Sequence, residues 1–439
     1  MPSRRLPKVL KFFDISVLAS ASMGPAYSLA STMGPMVAAA GGAAPLALIA
    51  LGAIMLCMAV AFAQLSRVAP NAGSSYSWIR MAFGRRVGAY GAWLLLLSNF
   101  FATMATAVPA GIYTLELVAP ARAQDPLWAA CVGGVWIVAS SVLLYVGIRP
   151  TAMVTLVALA IELVVLAASA VAAEFLPHAP VESVAHAAAL PVLPLSVAGF
   201  IGAMTLGIWM SDGWEISASA SEEVNDDASA SGRGGMVGLV VTVVLLVLCM
   251  VAYLHLGTPA GFAAHQADSL AYVSDLLGGG AWRFAIVITV MLSTLSTLWT
   301  TILYLSRSVY AMGRDGVLPR VLGRLDGRSE PLWALAAVAA LVTICELVTG
   351  LSPSAADQLD VVVNASSVFL GLLFVFSAAA AARRFWPSRA VALPLLGAVA
   401  LLAVLGATIG SENRQLQWYA WAGVFLGIPF AFWRGRATP

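Results

Sequence analysis

The sequence predicts an all-α integral membrane protein with about twelve transmembrane helices, and three observations carry that expectation. Of its 439 residues, 61% are hydrophobic and 10% charged, far below the roughly 25% charged content of a soluble domain. The apolar residues lie in long runs rather than alternating, and the mean hydropathy is +0.91. At roughly 20 apolar residues per crossing, the chain holds about twelve crossings with short connections, so 1–439 reads as a single transmembrane domain. The third observation is the placement of charge. With a cytoplasmic N-terminus, 20 of the 23 Lys and Arg residues fall in inside segments, the bias that the positive-inside rule describes.

Divided at charge clusters and Pro/Gly breaks, the spans lie near 14–40, 45–65, 88–117, 127–146, 151–174, 196–221, 236–257, 283–311, 331–350, 359–382, 390–410 and 416–433. Arg4, Arg5, Lys8 and Lys11 precede an apolar run that passes Ala19-Ser20-Ala21 and continues to about Ala40. It is therefore expected as a retained first span and not a cleaved leader. Both termini are then cytoplasmic, in the cytoplasmic (inner) membrane.

Two spans contain helix breakers at mid-depth. Span 1 carries Ser22-Met23-Gly24-Pro25-Ala26, followed by a second pair, Gly34-Pro35. An interior proline removes a backbone donor and clashes with the preceding turn, which kinks or unwinds a helix. Span 6 carries Ser211-Asp212-Gly213 after the apolar run 197–210, and a carboxylate at bilayer depth marks a functional site by default. Spans 1 and 6 are five apart, as expected of inverted repeats over about 14–174 and 196–382, followed by two extra helices at about 390–433. That arrangement puts a substrate site at the midplane, where half-helix ends meet ligand charges. A kinked helix and an acid lining a water-filled crevice is the plainer alternative.

Other polar positions are candidates for coupling. Glu162 lies midway along span 5, as a proton carrier or as an interhelical hydrogen-bond partner. Span 8 carries Ser293, Thr294, Ser296, Thr297, Thr300 and Thr301, hydroxyls that either line a cation path or pack helices closely. The acidic run Glu222, Glu223, Asp226 and Asp227 reads as a solvated loop, with gating against the arginines at 314–328 as the alternative. Cys57, Cys131, Cys249 and Cys345 lack the spacing of a zinc site or a disulfide framework and read as small core residues. No metal and no cofactor are expected. His178, His186, His255 and His265 fall in or beside outside loops, which leaves an intramembrane enzyme little catalytic material. A net charge of +2 from scattered arginines gives no nucleic-acid surface.

Four strings then carry a resemblance. SRSVYAMGRDGVLP (306–319), PNAGSSYSW (70–78), GWEISASASEEVNDD (213–227) and YVGIRPTA (145–152) resemble, in order and spacing, stretches of permeases of the amino acid-polyamine-organocation (APC) superfamily. The resemblance implies the LeuT-like fold, a five-plus-five inverted repeat with discontinuous helices 1 and 6 plus two extra helices. It implies secondary transport of an amino acid or related small amine by alternating access, as a symporter or antiporter, without enzymatic activity. Met23, Gly24, Pro25 and Ala26 stand where the family offers backbone N–H groups to a substrate carboxylate. Pro25 has no N–H and Ala26 replaces a glycine, so at least one donor is absent and the substrate amine is expected to dominate recognition. Gly213 and Glu215 resemble the unwound Gly and following Glu, and Trp209 the aromatic that covers bound substrate, where stacking on an amine is worth roughly 0.5 to 2 kcal/mol. Asp212 departs from the family and reads as a counter-ion for a substrate ammonium, a proton carrier, or a cap on the second half-helix. Span 5 lacks the lysine of some sodium-independent members, whereas Thr297, Thr300 and Thr301 resemble hydroxyls of a sodium site, so H+ and Na+ both stand as coupling ions. The other function classes weighed are a channel and a membrane amine sensor that does not translocate. The expected partners are the small-molecule substrate and the lipid bilayer, with no oligomeric state implied.

Overall fold

The structure, a computed structural model, describes residues 6–176, 196–227, 229–266, 268–351, 355–408 and 414–434. His178, His186 and both chain ends lie outside them. The helices in chain order are α1 (Phe12–Ser22), α2 (Pro25–Ala40), α3 (Ala44–Val68), α4 (Ser74–Phe83), α5 (Arg85–Val118), α6 (Pro126–Val146), α7 (Ile148–Phe175), α8 (Val197–Met210) and α9 (Ile216–Ser219). They continue as α10 (Ala230–Leu256), α11 (Pro259–Ala264), α12 (Ser269–Leu276), α13 (Ala281–Arg314), α14 (Leu332–Thr349), α15 (Ala355–Phe385), α16 (Ala392–Thr408) and α17 (Arg414–Arg434). Helices and closed barrels are the structures that satisfy every backbone group in lipid.

Nine runs among the described residues are long and apolar enough to cross a bilayer, and the first, Phe12–Val68, has 57 residues, more than one crossing needs. The apolar helices Val197–Met210 and Ala420–Phe432 are shorter. The 57-residue run holds the expected spans 1 and 2 together, and the break in span 6 leaves α8 with 14 residues.

Both expected breaks are present. Gly24 adopts a left-handed conformation (φ 54°, ψ 65°) and Pro25 starts α2, where a missing N–H costs nothing and the fixed φ suits a first helical residue. Gly213 has φ 109° between α8 and the four-residue α9. Gly34-Pro35 makes no third break, since α2 runs through Pro35 to Ala40. Instead Gly34 is a seat for the α11–α12 segment, its N–H donating to Ser269 Oγ at 2.7 Å. Helix α1 packs among α7, α10 and α13, and α2 against α8 and α11. Helix α5 is the central strut, in contact with α6, α13, α15 and α17. Its Pro109 leaves the Ala105 carbonyl without the usual i+4 donor, and Tyr27 Oη of α2 donates to that carbonyl at 2.7 Å.

At the arginine-rich end, Val9 N–H and Leu10 N–H donate to Glu223 O (2.9 and 3.0 Å) and Asn225 N–H to Leu10 O (2.8 Å). The segment before α1 is thereby sewn to the segment after α9. The acidic run is solvated only in its second half, where Asp226 and Asp227 are exposed, and is drawn inward at Glu222 and Glu223. Glu223 is fully buried and accepts from Arg307 Nε (3.2 Å) and Nη2 (3.0 Å), while Arg307 Nη2 also reaches Glu330 at 2.9 Å. Glu222 pairs with Arg314 at 2.8 Å, and Asp227 pairs with Arg233 at the exposed rim. A buried guanidinium needs acceptors, and this run supplies them. The cysteine expectation holds at Cys249, which is buried, and fails at Cys131, which faces outward.

Candidate functional site

The two breaks touch. A Cβ added at Gly213 would lie 2.5 Å from Ser22 O and 2.9 Å from Met23 N, and one at Gly24 would collide with Thr297 Oγ1. Glycine at both positions thus lets span 6 press on span 1 and span 1 press on α13. Beside this junction lies a narrow cavity of about 20 Å³ lined by Ser22, Met23, Tyr27, Trp209, Asp212 and Gly213, with Glu215, Thr297, Thr301, Asn99 and Tyr304 completing the polar wall. That volume is room for about one water molecule, so admitting an amino acid requires the walls to part.

Of the residues expected to bind substrate, Ser22, Met23, Trp209, Asp212 and Gly213 line the cavity, whereas Gly24, Pro25, Ala26 and Ser211 do not. The backbone accounts for the difference: Gly24 is turned onto Thr297, and Ala26 N–H donates away to Glu162 Oε1 at 2.6 Å. Ser211 Oγ is buried without a hydrogen-bond partner among the described residues. Of the residues expected in gating and coupling, Trp209, Asp212 and Glu215 line the cavity, and Glu162 lies behind α2.

The three hydroxyls expected at a cation site are divided. Thr297 Oγ1 donates to the Ala21 and Ser293 carbonyls (3.2 and 3.0 Å), which places it against the end of α1. Thr300 donates within its own helix to Ser296 O at 2.7 Å and does not line the cavity. Thr301 lines the cavity but donates to Leu298 O at 2.9 Å. Bonds of a hydroxyl to the preceding turn are its ordinary way of being satisfied in a helix.

The cavity is acidic. Asp212 and Glu215 are adjacent, Gly213 N–H donates to Glu215 Oε2 at 3.0 Å, and Asp212 Oδ1 is buried without a partner among the described residues. No Lys or Arg lines the cavity among the described residues. On the same cavity wall, Trp209 is 8% exposed and meets Tyr27 edge to face with ring centroids 6.5 Å apart. Outside the spans, burial pushes the Glu330 carboxyl up to about 7 even though Arg307 lies beside it. Sequence reasoning missed Tyr27, Asn99 and Tyr304, whose types are ordinary in any span. It counted Arg307 among the 20 basic residues of the inside segments, whereas its side chain is fully buried.

A family model described as amino acid permease matches residues 10–431. The chain belongs to the amino acid permease family. Among curated proteins this chain is similar to the branched-chain amino acid permease BcaP of Lactococcus lactis subsp. cremoris, 27% identical over 305 residues, or 65% of this chain and 64% of the relative. It is also similar to the uncharacterized amino acid permease YecA of Bacillus subtilis, 27% identical over 289 residues, covering 64% of this chain and 63% of the relative. The uncharacterized transporter Rv1999c of Mycobacterium tuberculosis is 28% identical over 330 residues, 73% of this chain and 70% of the relative. The chain thus spans somewhat under two thirds of the length of the first two relatives. The family is one of transporters, and the apolar helices make this chain a multi-pass membrane protein.

Proposed function

We propose that the protein is a secondary permease carrying an amino acid or related small amine across the cytoplasmic membrane by alternating access, coupled to protons or working by exchange. In this reading the twelve crossings form two five-helix inverted repeats, about 14–174 and 196–382, with two further helices, and the arginine-rich end faces the cytoplasm with both termini. The observation that carries the substrate reading is the pairing of Asp212 and Glu215 on a cavity wall that holds no basic residue among the described ones. Two neighbouring acids at low dielectric attract a cationic group, and an ammonium supplies one.

Asp212→Asn keeps the shape of the side chain and removes its charge. It is expected to weaken binding of the transported amine by roughly tenfold to a hundredfold, the worth of a charged hydrogen bond of about 1.5 to 3 kcal/mol. Titration of purified protein by ligand-induced thermal stabilisation checks this, and unchanged affinity removes Asp212 as the counter-ion.

Trp209 lines the same narrow cavity as the two acids, and in this reading its ring covers the bound ligand. Trp209→Ala is expected to cut liposome flux by tenfold or more with a smaller loss of equilibrium binding, while Trp209→Phe keeps most of the flux. A collapse in the yield of monodisperse Trp209→Ala protein would show packing to be its role instead, at the cost of about 3 to 5 kcal/mol typical of a buried Trp.

A further inference from the structure

The arginine-rich end of the fold divides into two halves. In one, guanidiniums meet carboxylates: Arg307 has Glu223 and Glu330, Arg314 has Glu222 and Arg233 has Asp227. In the other, α4 ends, α5 begins, and α15 and α17 end, and the chain supplies no acids of its own. The sequence holds no Asp or Glu between Asp14 and Glu116, between Asp360 and Glu412, or after Glu412. Asp315, which reaches this half from the end of α13, is engaged by Arg80 and Tyr76 of α4. The exposed arginines here stand over aromatic rings instead. Arg86 Cζ of α5 lies 5.5 Å from the ring centroid of Phe432 in α17, Arg383 Cζ of α15 5.7 Å from that of Phe83 in α4, and Arg384 Cζ 5.8 Å from that of Phe385. None of these three forms an ion pair among the described residues. A guanidinium held over a ring keeps both its charge and its planar fork of N–H donors. The patch also carries the mark of a water–lipid boundary: Phe432 is 50% exposed and Trp386, just past α15, is 72% exposed, and aromatic side chains at span ends sit at headgroup level.

We propose that Arg86, Arg383 and Arg384 hold the phosphate of an anionic phospholipid headgroup, and that the bound lipid ties the ends of α5, α15 and α17 together. The proposal is independent of what the cavity carries. Basic clusters just beyond the ends of spanning helices attract anionic headgroups, and a guanidinium fork matches a phosphate edge to edge. A zwitterionic headgroup brings its own cation to a patch without a free acid, whereas an anionic one brings only the charge that is missing. Free phosphate offers the same charge but has no acyl chains to lie against the apolar surface beside the patch, where α17 exposes Phe425, Leu426 and Ile428. The lipid would reinforce the seam between α5 and α17, which Tyr90 Oη to Val424 O (3.2 Å) and Trp93 Nε1 to Gly423 O (2.8 Å) already hold.

The test uses full-length protein purified in an uncharged detergent, with dioleoylphosphatidylglycerol, dioleoylphosphatidylcholine and inorganic phosphate as probes. Lipid retained in native mass spectra and the shift of the thermal midpoint are the readouts. Phosphatidylglycerol is expected to bind about tenfold or more tighter than phosphatidylcholine and to raise the midpoint, while phosphate at the same concentration leaves it in place. Arg86→Gln with Arg383→Gln is expected to lose about tenfold or more of the phosphatidylglycerol affinity and to hold phosphatidylcholine as before. Arg320→Gln with Arg324→Gln removes the same charge from two exposed arginines between α13 and α14 and is expected to bind as the wild type does. Equal loss in the two double variants overturns the proposal, because diffuse charge at this end would then suffice. Equal binding of the two lipids overturns it, as does stabilisation by phosphate that matches the lipid. Should the first double variant fail to fold, Arg383→Gln and Arg384→Gln are each expected to lose about threefold or more, and wild-type affinity in both overturns the proposal.

Discussion

Gly213→Ala is expected to reduce liposome flux by at least a hundredfold while folded protein can still be recovered. Two effects combine at this residue. An alanine at φ 109° occupies a conformation that costs of order 1 to 3 kcal/mol for a residue with a Cβ. That Cβ would also stand 2.5 Å from Ser22 O and 2.6 Å from Ser22 C, and these are backbone atoms that cannot swing aside. The breaks in spans 1 and 6 must therefore separate, and a misplacement of about 1 Å near the acting groups can cost roughly a hundredfold in rate. Gly278→Ala separates strain from collision, since Gly278 has φ 104° with nothing within 4 Å of an added Cβ. It is expected to lower the thermal midpoint slightly and keep its flux. Flux in Gly213→Ala equal to that of Gly278→Ala would show that contact between the two breaks is not needed for transport.

The second large effect is on folding. Arg307→Met is expected to yield little monodisperse protein, because it strands Glu223 and Glu330 beside each other at 0% and 5% side-chain exposure. Breaking a buried ion pair by removing one partner costs about 3 to 5 kcal/mol, and replacing the whole group with uncharged residues is often close to neutral. The triple variant Arg307→Met with Glu223→Gln and Glu330→Gln should therefore recover much of the yield. Arg314→Met, which loses a pair with Glu222 at 34% and 20% exposure, should cost about 1 kcal/mol or less. Size-exclusion profiles of the three variants check the set. A normal profile for Arg307→Met would mean that the cluster contributes little to holding the fold.

The two breaks are legible in the sequence because Gly24-Pro25 and Ser211-Asp212-Gly213 are local signals: a helix cannot run straight through them, whatever surrounds it. The acid on the cavity wall is legible for a related reason, since a carboxyl group is too costly at bilayer depth to persist there without a task. The contacts between distant residues are not. That Gly213 rests on Ser22, or that Glu162 accepts from a backbone N–H 136 positions away, depends on how helices pack, and no periodicity encodes it. Arg307 misleads because a charge near a span end ordinarily faces water; its burial follows from acids on two other segments converging on it. Helices α4, α11 and α12 are hard to tell from connections, being short and carrying too few apolar residues to stand out between long spans.

The proline in α5 has a consequence for hydration. Because Pro109 has no N–H, the Ala105 carbonyl belongs in part to α2, through a single hydroxyl on Tyr27. A freed backbone group in a membrane protein must be satisfied by a neighbouring helix or by water. Any shift that carries Tyr27 away from α5 therefore leaves an acceptor for water to fill. Wetting of this seam and displacement of α2 are in that sense one event, and a drier seam makes a stiffer hinge.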